Sequence, residues 1–191
     1  AVTMSTMAPM TSGVAMSAKP SGGGWRLDGV KSFVLDGHAA DLLVVLARRP
    51  GSSGDDGLSL FTVRGDAKGL QRRLLNTVDA TRKLARLTFQ SVEAELLGEA
   101  DAAAAPFAKT LDQAVVCLAN EMAGGAERLR QSALDYVKMR MQFGRPIASF
   151  QAIKHKCADM LVDVELAKSA AYCAAEAAAE NDPELPALAC L

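Results

Sequence analysis

The feature that most constrains this chain is a change of hydrophobic period near its middle. Up to about Gly98 the apolar residues come in short runs: "VAMSA", "WRLDGVKSFVL", "LLVVLAR", "LSLFTV" and "ARLTFQSV". "PSGGG", "RPGSSGDDG" and "RGDAKG" separate them, a pattern that predicts strands joined by turns. Runs this close, with no helices between, predict an antiparallel sheet, barrel or sandwich. After Ala102 the period changes. Phe107, Leu111, Val115, Leu118, Met122, Ala126, Leu129, Ala133 and Val137 recur at steps of three and four, the stripe of one long helix. A second helix is expected to start at Ser149 as N-cap, with Phe150, Ile153, Cys157, Met160, Leu161, Val164, Ala167, Ala171 and Ala174 as its stripe. Abundant alanine along both suits close antiparallel packing in a bundle. The expected class is therefore α+β, with a boundary near residues 98–106.

Composition removes several function classes. The 191 residues are half apolar and carry a net charge of −1, so the chain can bury a core but has no long-range pull toward nucleic acid or anionic membrane. Cys117, Cys157, Cys173 and Cys190 are scattered, without CxxC pairs or metal-ligand spacing to His38 or His155. Buried, reduced thiols in a cytoplasmic protein are the expectation, with no metal. No apolar run reaches the roughly 18 residues of a membrane span, and "AVTMSTMAPM" lacks the basic start of a signal peptide. "PGSSGDDG" reads as an exposed hairpin loop, because no GK[ST] ending and no helix follow it. The chain lacks an initiator Met, and "PELPALACL" stops as a new apolar pattern begins, so a piece of a longer protein is expected.

The turn "RMQFGRPIASFQ" asks for a chemical explanation. Arg140 continues the apolar stripe of the long helix, and a buried guanidinium without a partner is expensive. One reading is an ion pair with Asp159 or Glu165 on the next helix. The other is an anion held by the guanidinium fork, phosphate being its natural match. Gln142, Phe143 and Gln151 stand close enough in sequence to add amides and an aromatic wall. The residues alone leave both readings open.

"YVKMRMQFGRPIASFQAIKHKCADM", from Tyr136 to Met160, resembles the acyl-CoA dehydrogenase pattern in which R-x-QFG-x-PI and FQ join two helices of the C-terminal four-helix bundle. "WRLDGVKSFVLDGHAADLLVVLAR", from Trp25 to Arg48, resembles the family's middle β-domain, and "ARLTFQSVEAELLG" its last strand. The likeness covers nearly the whole chain and implies a middle β-domain over 1–101 and the first part of the helical domain over 102–191. It also implies FAD, an acyl-CoA substrate, α,β-dehydrogenation, electron-transferring flavoprotein as acceptor, and a homo- or hetero-oligomer. By position, Arg140, Gln142, Phe143 and Gln151 fall where the family holds the pyrophosphate and adenosine end of a neighbouring subunit's FAD. Phe33 and Leu35 fall beside the flavin ring.

The chain departs from that pattern at several positions. "KSFVL" stands where K-x-W-I-T is common, so Leu35 replaces a hydroxyl near flavin N5. The FAD loop should fall before Gly13, where only Ser5 or Thr6 offers a hydroxyl. Val115 stands at an arginine position and Ala114 where some members place a glutamate base; the usual carboxylate base is expected beyond Leu191. Asp112 and Glu121 read as solvated charges, and no catalytic residue is assigned. Two alternatives follow from these departures: a non-catalytic subunit that lends its bundle to a partner's FAD site, or a cofactor-free helical assembly module.

Overall fold

The computed structural model describes residues 13–184. Ser5, Thr6 and Cys190 lie outside them, as does most of "PELPALACL". The described chain forms two compact units that divide between Phe107 and Ala108.

The first unit is built from β1 (Ser17–Ser21), β2 (Gly24–Leu35), β3 (Leu42–Arg48), β4 (Leu58–Arg64), β5 (Leu70–Leu74) and β6 (Leu84–Leu97). Their order is β2-β1-β3-β4-β6-β5, and β6 pairs back onto β2, so five strands close a ring and β5 is appended along β6. All pairings are antiparallel except a single parallel bridge between Ser17 and Arg48. Of the sheet, barrel or sandwich expected, the closed ring is the barrel. The sequence reading did not find β5, because "LQRRL" puts two arginines where an alternating strand needs apolar residues. "VAMSA" also begins too early: the strand runs Ser17–Ser21, and Pro20 and Ser21 belong to it rather than to the turn.

Leu27, Ala47, Phe61, Val63, Leu87, Phe89 and Val92 fill the ring's interior. Each fully buried large side chain contributes roughly 1.5–3 kcal/mol. Trp25 tilts against Phe61 with ring centroids 5.2 Å apart. A second cluster of Leu46, Leu58 and Ala103, packed by Phe107, lies on the other face of β3 and β4. Arg48 is buried and donates to the carbonyls of Val14, Gly54 and Asp56, which ties down the expected β3–β4 hairpin loop.

The helical unit contains α1 (Ala104–Met139), whose first turn belongs to the β unit, and α2 (Gln151–Glu180). Lys109 Nζ donates to Asn181 Oδ1, Val116 packs on Ala174 and Ala177, and Asn120 Nδ2 donates to the Ala171 carbonyl. Partners on α2 move toward its start as α1 advances, so the pair is antiparallel. The expected α2 stripe holds at Val164, Ala171 and Ala174, all buried. The expected α1 stripe does not. Val115, Leu118, Met122 and Leu129 are exposed, and the buried positions are Val116 and Ala123. Small residues on the neighbouring face allow closer approach to α2. The Ser149 cap is also corrected: Ser149 ends a 3-10 turn (Ile147–Ser149), and Phe150, extended and without a side-chain cap bond, precedes α2. At the far end Asn181, with φ 54°, closes α2 in the left-handed conformation common at helix ends.

Candidate functional site

In the helical unit the candidate residues gather where α1 becomes α2. Helix α1 stops at Met139, and β7 (Met141–Gln142) and β8 (Arg145–Pro146) form a minimal hairpin. Gln142 pairs with Arg145, leaving Phe143 and Gly144 as a two-residue turn with φ 54° and 76°. Two left-handed residues are what a type I′ hairpin demands. Glycine meets that demand freely; phenylalanine does so under strain. The hairpin is pinned at its base, where Ile147 N–H donates to the Arg140 carbonyl at 2.8 Å.

This geometry displays side chains rather than burying them. Phe143 is 90% exposed and meets Phe150 edge-on at 6.0 Å. The Arg145 guanidinium lies 4.1 Å over the Phe150 ring, a cation–π contact the sequence reading missed. Arg140 is exposed, just past the helix end, and its guanidinium has no ion pair or hydrogen bond among the described residues. Of the two readings left open, the ion pair is formed with neither Asp159 nor Glu165 among the described residues; the Glu165 carboxylate binds Lys168 at 2.8 Å. Gln142 is exposed on β7, and Gln151 Nε2 lies 2.8 Å from His155 Nε2. An accepted bond there needs the imidazole proton on Nδ1.

In the β unit, Phe33 and Leu35 sit at the end of β2. Between Lys31, opposite Leu87, and Val34, opposite Ala85, β2 carries one extra residue. Phe33 occupies this bulge with φ 58° and is 71% exposed; Leu35 is also exposed. Bulges re-aim side chains, and an aromatic residue in the left-handed region is held there at a cost. Lys31 precedes them, and burial pushes its ammonium down from the ordinary lysine value. A second bulge, at Ser91 on β6, is fixed by Asp28 Oδ1 accepting from Ser91 N–H and by Arg26 donating to the Ser91 carbonyl.

The thiols are free but not buried as expected: Cys117 and Cys173 are exposed and Cys157 is half-buried. Among the described residues no cluster could hold a metal ion, and no helix is long and apolar enough to cross a membrane.

This barrel, followed by two antiparallel helices joined through an arginine-bearing hairpin, matches known proteins. Residues 5–92 match the family model for the acyl-CoA dehydrogenase middle domain, and residues 107–191 that for the acyl-CoA dehydrogenase C-terminal domain. The chain belongs to the acyl-CoA dehydrogenase family. Acyl-CoA dehydrogenase IpdE2 of Mycobacterium tuberculosis is 46% identical over 93 residues, 49% of this chain and 26% of that protein. Butyryl-CoA dehydrogenase of Megasphaera elsdenii superimposes with a TM-score of 0.84 at 32% identity, over 90% of this chain and 46% of that one. The Tcur3481-Tcur3483 steroid ACAD does so with a TM-score of 0.75 at 33% identity, over 93% and 46%. The chain spans about half the length of these solved relatives.

Proposed function

We propose that this chain forms part of an FAD-dependent acyl-CoA dehydrogenase, and that its helix–hairpin–helix turn holds the phosphate end of the cofactor. One observation carries the reading: in a chain of this family, Arg140, exposed and with no ion pair or hydrogen bond from its guanidinium among the described residues, stands at the base of the turn that displays Phe143. That donor set fits FAD, since a guanidinium fork matches pyrophosphate and an exposed aromatic face suits adenine. Gln142 adds an amide beside the same turn, and Gln151 another at the start of α2. On β2 the fit is partial. Phe33 offers a ring to the flavin, whereas Leu35 has no donor for N5.

Held by Arg140, Gln142, Phe143 and Gln151, FAD would supply the acceptor for a hydride from the acyl Cβ, and a base would take the Cα proton to leave the conjugated thioester. This chain's own contribution is binding and orientation. Ala114 cannot accept a proton, so no base is assigned here. Butyryl and steroid relatives stand at nearly equal identity, so the proposed substrate is an acyl-CoA thioester without a specified acyl group. The proposed acceptor is electron-transferring flavoprotein, and the scattered free thiols favour the cytoplasm.

The test is flavin retention. Arg140→Ala should weaken FAD binding by about 1.5–3 kcal/mol, the range for a hydrogen bond to a charged group. Arg140→Lys should restore it only in part, because lysine lacks the planar fork. Equal flavin content in wild type and Arg140→Ala would reject the assignment.

A second reading has its own support. Leu35 and Val115 depart from the family on this chain's own flavin side, while Arg140, Phe143 and Gln151 are kept, and one solved relative carries a paired designation. A subunit that lends its turn to a related partner's FAD would show this asymmetry. Flavin stoichiometry on the protein purified alone and co-expressed with such a partner separates the cases. One FAD per subunit in the protein alone rejects lending.

A further inference from the structure

The family pattern R-x-QFG-x-PI leaves the position of Arg145 open. Here Arg145 is exposed on β8, and its guanidinium lies 4.1 Å over the Phe150 ring, with no ion pair or hydrogen bond among the described residues. No acidic residue stands between Asp135 and Asp159 in the sequence to draw it away. The Phe150 backbone is fixed: its N–H donates to the Ile147 carbonyl, and its own carbonyl accepts from Ile153 and Lys154. The Phe150 ring also meets Phe143, with centroids 6.0 Å apart and 83° between the planes. Arg145, Phe150 and Phe143 thus form a connected stack, with Phe150 between the other two.

Phe143 needs such a support. It is 90% exposed, so burial does not select its rotamer, and its φ of 54° is a strained setting for an aromatic residue. The edge-on contact with Phe150 is what orients the ring. That contact lasts only while Phe150 keeps its own rotamer, and a guanidinium over its face restricts the rotamer by cation–π attraction. An exposed contact of this kind adds little to stability. Its effect is order: a ring held in place before a ligand arrives lowers the ordering cost of binding.

We infer that Arg145 is a positioning residue, which stacks on Phe150 to hold the Phe143 ring ready for the adenine of a bound dinucleotide cofactor. The inference rests on the proposed reading of this turn as the holder of FAD. The full-length protein tests it in two arms. In the first, flavin is stripped and para-fluorophenylalanine is placed at position 143, so that fluorine NMR reads the ring-current shift imposed by Phe150. Arg145→Ala should reduce that shift and Arg145→Lys should keep part of it, with little change in melting temperature for either. In the second arm, fluorescence titration with FAD measures affinity. Arg145→Ala should weaken it roughly two- to fivefold, the equivalent of an exposed cation–π contact. On a Phe143→Ala background the same substitution should cost nothing further, because the ring it positions is gone. Additive losses in that double-mutant cycle overturn the inference, since Arg145 would then act on the cofactor independently of Phe143. Unchanged FAD affinity in Arg145→Ala overturns it as well, as does an unchanged fluorine shift. A reduced shift in a protein whose wild type takes up no FAD would sink the cofactor reading and leave the stack standing.

Discussion

At the residue scale, Phe33 and Phe143 share an unusual property: each is an aromatic side chain in the left-handed region, at 58° and 54°, and each is displayed rather than packed. A bulky residue there carries roughly 1–3 kcal/mol of strain that the surrounding pairing must sustain. At Phe143 that pairing is the β7–β8 hairpin, and Asn-Gly would satisfy its type I′ turn far better. Phe143→Asn should therefore stabilise the helical unit by about 1 kcal/mol while reducing flavin retention. Thermal melting by circular dichroism, run beside flavin absorbance, reads both. A destabilised variant would show that the ring contributes more by packing on Phe150 than it costs in strain. Gly144 and Pro146 made the turn legible in the sequence. The left-handed Phe143 was not, since nothing local selects it and the two-residue hairpin imposes it.

At the element scale, α1 has two apolar faces and α2 covers one. Sequence periodicity finds the larger side chains, Val115, Leu118, Met122 and Leu129, whereas the helix contact uses Val116 and Ala123 because small residues permit close approach. Within α1, Gly124 and Gly125 are costly, and a Cβ at either meets nothing within 4 Å. Gly124→Ala and Gly125→Ala should each stabilise the unit by roughly 0.5–1 kcal/mol in chemical denaturation, unless another chain approaches the helix there. The unit's ion pairs give it a pH window. Hydrogen bonds from Arg130 hold the Glu127 carboxyl below its ordinary value, so this stabilisation is present above the unfolded glutamate pKa and is lost as pH falls through the lowered folded one. Glu165 raises Lys168, chiefly by hydrogen bonding, so that contribution is present below the ordinary lysine pKa and is lost as pH rises through the raised folded value. Melting temperature should hold between about pH 5 and 10 and fall on both sides. Glu127→Gln should make the acid limb shallower and leave the alkaline limb unchanged.

At the scale of the whole molecule, the uncovered α1 face matters most. Leu118, Met122, Leu129, Tyr136 and Met139 are exposed, Leu129 by 73%, and contiguous apolar surface of this kind drives association. The chain by itself should self-associate, and Leu118→Lys/Leu129→Lys should shift it toward monomer without loss of helical signal. Light scattering beside circular dichroism checks this. A wild-type chain that stays monomeric at high concentration would show that the face tolerates water.

What the sequence by itself determined was periodic and local: the switch from strands to helices, the β3–β4 loop, the turn at Gly144 and Pro146, and the family resemblance carried by contiguous motifs. Tertiary structure decided everything that depends on which surfaces meet. It chose the α1 face toward α2, recruited the arginine-rich β5 as a sixth strand, and placed Arg73 of β5 opposite Arg86 of β6. It also left the Arg140 guanidinium without an ion pair or hydrogen bond among the described residues, by turning the chain immediately after the helix. The physical reason is common to all four. Hydrophobic period reports which residues can be buried, and only the register and approach of neighbouring elements settle which ones are.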